Sequence, residues 1–183
     1  MSLGPVSFEF ATAALTGTTV EPIRIRKIAT GPTALQQFSL LIIDDNPDDL
    51  RFLRLALKWM RSSVSVSVDI AEDCQSTLNR LCDGEAPLPS VILLDSERQG
   101  KRCLRALERL KQNGRTRAIP VVIMAQSGQK SVDESYAACA NCVVAKPETV
   151  EQAEQLLTRL ERFWFLAATL PSPSRTINPQ VTT

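Results

Sequence analysis

The residues best placed to do chemistry in this 183-residue chain are Asp44 and Asp45, which follow Leu40-Leu41-Ile42-Ile43 and precede Asn46-Pro47. Four aliphatic residues in a row describe a strand buried on both faces, and the burial stops where the charge begins. Two carboxylates about 4 to 6 Å apart repel each other and lose hydration at the end of such a strand, so a cation, a lysine or bulk water must offset them. Magnesium suits the task, because it keeps most of its waters and needs only one or two protein carboxylates. The competing reading is that the two acids end the strand and cap the following helix. Two more apolar runs end in charge: Val91-Ile92-Leu93-Leu94 on Asp95, and Cys142-Val143-Val144-Ala145 on Lys146-Pro147.

The elements that would carry these residues alternate along the chain. Asn46 can cap a helix with Pro47 at its first position, where proline is favoured, and Leu50, Leu53, Leu57 and Met60 recur at helical spacing. From Ser63 to Ile70 serine alternates with valine, which predicts an edge strand with Val64, Val66, Val68 and Ile70 on one face. A weaker helix follows over 72–82, then the strand ending on Asp95, a helix over 102–113 that turns Leu104, Leu107 and Leu110 to one side, and a strand over 120–124. A short helix over 132–138 leads to the last strand. Thr149 with Gln152 then makes a capping box for a final helix of about 20 residues. Such alternation predicts an α/β fold, a five-stranded parallel sheet, doubly wound, with right-handed crossovers and helices on both faces. Its ligand site lies outside the carboxyl ends of the strands, where strand order reverses. That rule brings Asp44, Asp45, Asp95 and Lys146 to one crevice.

Composition narrows the class. The chain is 44% apolar and 22% charged, ordinary for a globular protein, and its length fits one domain with appended tails. Residues 1–37, rich in Thr, Ala and Gly, read as an N-terminal extension, 38–169 as the domain, and 170–183 as a disordered tail. Within the extension, Val20 to Ile28 could add to a sheet edge, lie along a partner or stay loose. A net charge of +1 without a basic run gives no case for nucleic acid or an anionic membrane surface. No apolar run approaches about 18 residues, so no membrane span is predicted, and no basic start with an apolar core marks a signal peptide. The five cysteines, odd in number and set within helix-like and strand-like patterns, read as reduced thiols of a cytoplasmic protein. Cys139-Ala140-Asn141-Cys142 has the gap of a zinc knuckle or redox pair, but with no second cysteine pair and no histidine neither is expected.

Taken together, Leu40 to Pro47 with its acid pair, Val91 to Asp95, Ala118 to Ile123, and Ala140 to Pro147 resemble the motifs of receiver domains of two-component response regulators. The resemblance extends over residues 38–168. It looks closest to the phytochrome-associated single-domain regulators, through Asp45-Asn46-Pro47 and Arg162-Phe163-Trp164-Phe165. It implies a flavodoxin-like sheet of order 2-1-3-4-5, Asp95 as phosphoacceptor, and Mg2+ held by Asp44, Asp45 and Asp95 with the backbone carbonyl of Glu97. Lys146 would pair with the phosphoryl oxygens, and a sensor histidine kinase or phosphotransfer protein would be the donor. Catalysis would stop at self-phosphorylation and slow autodephosphorylation. The chemistry agrees, since a carboxylate is a competent nucleophile toward phosphorus, and phosphoryl transfer needs mainly positioning and neutralised oxygens. For Lys146 the competing reading is a salt bridge that balances the acids without catalysis.

Three positions depart from the family pattern. Cys103 stands where a glycine is usual, Ala125 replaces the Ser or Thr after the fourth strand, and Val143 replaces the aromatic residue three before the lysine. The last two form the family's switch, so a weakened readout is expected. In the final helix Val150, Ala153, Leu157, Leu160, Trp164 and Ala167 can face the sheet, which leaves Leu156, Phe163, Phe165 and Leu166 as surplus apolar surface for a homodimer or a docking partner. The reading that results is an atypical single-domain response regulator that signals through protein contacts. The alternatives are a pseudo-receiver that serves as an assembly subunit, and a phosphatase of the haloacid dehalogenase kind, which the missing Asp-x-Asp after the first strand disfavours.

Overall fold

The apolar runs become the central strands of one sheet. In the computed structural model, which describes residues 23–27, 37–60, 62–98, 100–126 and 128–171, β2 (Gln37–Ile43) lies between β3 (Ser65–Ala71) and β4 (Val91–Asp95). β5 (Val121–Ala125) and β6 (Cys142–Ala145) follow, and all five strands run parallel. This is the expected order 2-1-3-4-5. A further strand, β1 (Ile23–Lys27), pairs antiparallel with β3, from Ile23 opposite Ile70 to Lys27 opposite Val66. Of the readings open for Val20 to Ile28, the sheet edge therefore holds, and β3, expected at an edge, is covered by β1. The pairing satisfies backbone groups that an edge would leave open. The rest of the extension, and the tail from residue 172, lie outside the described residues.

Among the described residues five α-helices cover the sheet: α1 (Pro47–Trp59), α2 (Cys74–Asp83), α3 (Gly100–Gln112), α4 (Gln129–Ala137) and α5 (Val150–Leu160). Side chains alternate along a strand, so the apolar runs feed two cores. Leu40, Ile42, Val91, Leu93, Val122 and Met124 pack with α1 and α5 through Leu53, Leu57, Ala153 and Leu157. Leu41, Ile43, Ile92, Leu94, Val121 and Ile123 pack with α2 and α3 through Leu78, Leu81, Leu107 and Leu110. A strand with helices on both sides has no solvent face, which is why these segments show no polar alternation. At the start of α1, Asn46 accepts a hydrogen bond from the Asp48 N–H at 3.1 Å with Pro47 next in line, so the cap follows the sequence reading.

Two expectations need correction. α5 does not continue as a regular helix; after Leu160 it passes into a π-helix over Glu161–Ala167. Wider turns move the buried stripe, so the core position after Leu160 falls five residues on, at Phe165, and Ala167 faces solvent. Phe165 stacks on Phe38 with ring centroids 4.9 Å apart, and Leu156 is also buried. Of the four residues expected at the surface, only Phe163 and Leu166 are there, 57% and 53% exposed. Glu161 turns inward and accepts hydrogen bonds from Ser62 Oγ at 3.0 Å and the Ser63 N–H at 2.6 Å. The cysteines are the second correction. Cys74 and Cys103 are joined by a disulfide with Cα atoms 5.7 Å apart, in the usual range for bridged pairs; Cys82, Cys139 and Cys142 are free thiols. The loop beside Cys103 also finds its turn glycine elsewhere, at Gly100 (φ +46°), the first residue of α3.

Candidate functional site

Strands β2, β4 and β6 release their charged residues at one edge of the sheet. The Asp44 N–H donates to the Ala71 carbonyl at 3.0 Å, which carries the β2–β3 pairing one residue past Ile43 and keeps Asp44 buried. Its Oδ1 accepts the Asn46 N–H at 2.8 Å, while its buried Oδ2 has no hydrogen-bond partner among the described residues. Asp95, the last residue of β4, accepts the Glu97 N–H on Oδ1 at 3.2 Å and Lys146 Nζ on Oδ2 at 3.0 Å. Asp45 is half-buried, with Arg98 Nε 4.0 Å from its Oδ1. One carboxylate oxygen from each of Asp44, Asp45 and Asp95 lies within 4.8 Å of the other two. The convergence expected from strand ends is therefore present.

Lys146 is more heavily engaged than its sequence context suggested. Only 6% of its side chain is exposed, and Nζ reaches Asp49 Oδ2 at 2.7 Å and Glu97 Oε2 at 2.8 Å besides Asp95. Burial alone would lower its pKa, but the bonds to Asp49, Glu97 and Asp95 outweigh burial and raise it, so the ammonium stays charged. The acids move the other way. Burial pushes the Asp44 carboxyl up from 3.8 to about 7, helped by the charges of Asp95 and Asp49 and opposed by the Asn46 N–H and Lys146. Burial likewise raises Asp95, against the hydrogen bond from Lys146. Among the described residues Lys146 and Arg98 face five carboxylates, those of Asp44, Asp45, Asp49, Asp95 and Glu97, so the cluster is short of positive charge.

A divalent cation fits that shortage. The donor set is all carboxylate oxygen, the kind magnesium and calcium prefer, and the orphaned Asp44 Oδ2 is a desolvated acceptor that no group among the described residues satisfies. Asp44, Asp45 and Asp95 would hold such an ion. Beside them a cleft of about 230 Å³, lined by Asn46, Asp49, Glu97, Gln126 and Lys146 among others, opens to solvent.

The sequence reading missed Asp49 and the side chain of Glu97. The acidic first turn of α1 was a usable signal for Asp49, since Asn46 Nδ2 donates to Asp49 Oδ2 at 2.6 Å and turns that carboxylate toward the strand ends. Nothing local marks Glu97, whose side chain reaches Lys146 only because β4 and β6 end together. The two switch positions lie as expected in the fold. Ala125 ends β5, buried, and its carbonyl accepts the Lys146 N–H at 3.1 Å. Val143 sits in β6 opposite Ile123 and packs on the α2–α3 core.

The model of the response regulator receiver domain matches residues 40–161. The chain belongs to this family. Among curated relatives of the receiver, response regulator Rcp1 of Synechocystis sp. is 29% identical over 138 residues, 73% of this chain and 92% of Rcp1. Among solved structures, the phosphorylated cyanobacterial phytochrome response regulator RcpA is 28% identical, covers 75% of the chain with all of its own, and superposes with a TM-score of 0.66. The Mn2+-bound form of Rcp1 covers 74% of the chain with 99% of its own at 24% identity and a TM-score of 0.60, a likeness of fold. The chain is thus a receiver similar to phytochrome-associated response regulators.

Proposed function

We propose that this receiver accepts a phosphoryl group on Asp95 from a sensor histidine kinase or phosphotransfer protein and signals through protein contacts. The observation that carries the reading is Lys146 Nζ 3.0 Å from Asp95 Oδ2, where the carboxylates of Asp44 and Asp45 converge with that of Asp95 and Asp44 keeps an unsatisfied buried oxygen. An Asp95 oxygen attacks the phosphorus of a phosphohistidine; the P–O bond forms as the P–N bond breaks, and its electron pair returns to the imidazole. Lys146 is held at the acceptor beforehand by Asp49 and Glu97, so its charge meets the incoming oxygens without reorganisation. Magnesium, held by Asp44, Asp45 and Asp95 with the Glu97 carbonyl, supplies further neutralisation when bound. Rcp1 has been solved with Mn2+, a cation of the same oxygen-seeking class.

The receiver body is taken as 38–169, flanked by the extension and the tail. Among the described residues no helix is long and apolar enough to cross a membrane, and the proposed kinase donor goes with a cytoplasmic location. Phe163 and Leu166, exposed on the π-helix, form the contact for a second copy or a downstream partner. Light scattering at micromolar concentration checks that contact, with Phe163→Glu expected to shift a dimer toward monomer and leave the fold intact.

Acetyl phosphate with magnesium tests the acceptor. One phosphoryl mass is expected on the wild type and none on Asp95→Asn. A wild type that stays unmodified where an ordinary receiver is labelled would favour the second reading, a phosphorylation-independent assembly subunit, for which Ala125 and Val143 at the switch positions speak.

A further inference from the structure

The Cys74–Cys103 bridge spans the same end of the sheet as the acidic crevice. β3 and β4 are the two neighbours of β2. Cys74 is the first residue of α2, three positions after Ala71, whose carbonyl accepts the Asp44 N–H. Cys103 lies in α3, eight positions after Asp95, with its sulfur 3.9 Å from the Asp95 carbonyl oxygen. Between Asp95 and Cys103 the Gly100 N–H donates to the Ser96 carbonyl at 2.8 Å, and the Glu97 N–H to Asp95 Oδ1 at 3.2 Å. The bond therefore ties the connection after β3 to the connection after β4, across the place where Asp44 and Asp45 emerge. Next to it Arg102 Nη2 donates to Gln75 Oε1 at 2.9 Å, so α2 and α3 also meet through the bridge's neighbours.

We propose that Cys74 and Cys103 form a redox pair whose state sets the order of the turn carrying Asp95 and Glu97. Bridged, the turn is held as described. Reduced, it loosens, and the crevice binds its cation and phosphoryl ligand more weakly; that second consequence rests on the phosphoacceptor reading, whereas the loosening does not. The reason is room. Both sulfurs are buried, at 1% and 0% residue exposure, and two thiols need more space than a bonded pair, so reduction must part α2 from α3 or expel a sulfur. Either movement is felt at the Asp95 carbonyl, against which Cys103 packs.

Oxidation by a disulfide of the glutathione class balances. One protein thiolate attacks the small disulfide and releases one glutathione thiol; the second protein thiolate attacks the mixed disulfide, closes the bridge and releases the other. Two electrons leave the protein, and the two thiol protons end on glutathione. A dithiol reductant reverses both steps. Because the sulfurs are buried, exchange waits for local opening, and the pair answers a sustained change in redox conditions.

The test equilibrates the full chain in glutathione buffers from reducing to oxidising. Peptide mapping counts the linked Cys74–Cys103 peptide, amide exchange reads the segment from Asp95 to Cys103, and calorimetry reads magnesium with beryllofluoride. The linked peptide should accumulate under oxidising buffers while the other three cysteines alkylate throughout. The segment should exchange about fivefold or more faster when reduced, the lower end of usual coupling strengths. The oxidised form should bind the ligand tighter by a similar factor, and by reciprocity the ligand should shift the glutathione midpoint by the factor its own affinity changes. No linked peptide at any ratio, or equal exchange in both forms, overturns the pair. Equal, measurable binding by both forms overturns its link to the crevice. If exchange differs and neither form binds, the redox pair stands and the phosphoacceptor reading fails. A Cys74→Ser/Cys103→Ala double variant, whose side chains are smaller than two thiols, should exchange more slowly than the reduced wild type and equally in every buffer, and exchange that still follows the buffer would overturn the pair; if it does not fold, the wild-type comparison decides.

Discussion

The crevice has two halves that differ in what they keep. At the ends of β2, β4 and β6 stand Asp44, Asp45, Asp95 and Lys146, with Asp49 and Glu97 drawn in to hold the lysine. At the end of β5 and within β6 stand Ala125 and Val143, with no hydroxyl to donate and no large ring to move. The first half handles charge, and the second half, in the family pattern, reports that charge to the surface. Handling and reporting are separate demands on a sheet edge, and this chain carries the side chains for one without those for the other.

The largest effect that would break this contrast falls on the charged half. Asp95→Asn removes the proposed nucleophile, so phosphorylation should vanish from the mass spectrum altogether. Lys146→Met should lower stability by about 3 to 5 kcal/mol, the usual result of stranding a buried charge, because Asp95 keeps its burial and loses its cation. Urea denaturation with a chelator present checks it, and magnesium should restore part of the loss. A Lys146→Met variant as stable as wild type in chelator would mean that the cluster is already neutral or hydrated.

Asp44 provides the next smaller effect, visible in pH. Its carboxyl ionises near 3.8 when unfolded and near 7 when folded without a cation. Between those values the native state binds the extra proton, so its stability falls as pH rises from about 4 to about 7 and levels off above. In chelating buffer the urea midpoint should therefore drop over that window in the wild type and drop less in Asp44→Asn. Identical pH profiles would show that water already solvates Asp44 Oδ2.

How much of this was legible depends on the range of the signal. Strand ends, the Asn46 cap and the meeting of Asp44, Asp45, Asp95 and Lys146 follow from local apolar runs plus one rule about parallel sheets, and these hold. The Cys74–Cys103 bridge does not follow, since cysteines on two helices 29 positions apart show no spacing that pairs them. Phe165 was misplaced because a 3.6-residue period was extended through a segment that turns more widely, whereas Leu156, inside the regular α5, is buried because the apolar stripe there, with Ala153, Leu157 and Leu160, is wider than the one read from the sequence. Asp49 was within reach, one turn into an acid-rich helix start, while the Glu97 side chain depended on the ends of β4 and β6 coming near each other across β5.

The smallest effect sharpens the contrast most, because it restores the missing half. In the family pattern a hydroxyl at the end of the strand equivalent to β5 turns toward the phosphoryl group and an aromatic side chain follows. Ala125 cannot donate that bond, and Val143 leaves no ring to follow. A hydrogen bond to a charged group contributes about 1.5 to 3 kcal/mol net, and a ligand shifts a two-state equilibrium only by its differential affinity for the two states. Losing the bond therefore weakens coupling by about 10- to 150-fold, at tenfold per 1.4 kcal/mol. Position 125 is buried at a strand end, where a β-branched threonine suits the backbone. Backbone amide spectra with and without beryllofluoride should change little in wild type, and more in Ala125→Thr, across α4 and β6. Large changes in wild type would place the donor elsewhere, and Gln126, exposed beside the cleft, is the neighbour to remove next. Loss of those changes in Gln126→Ala would show that the reporting half has moved by one residue rather than gone.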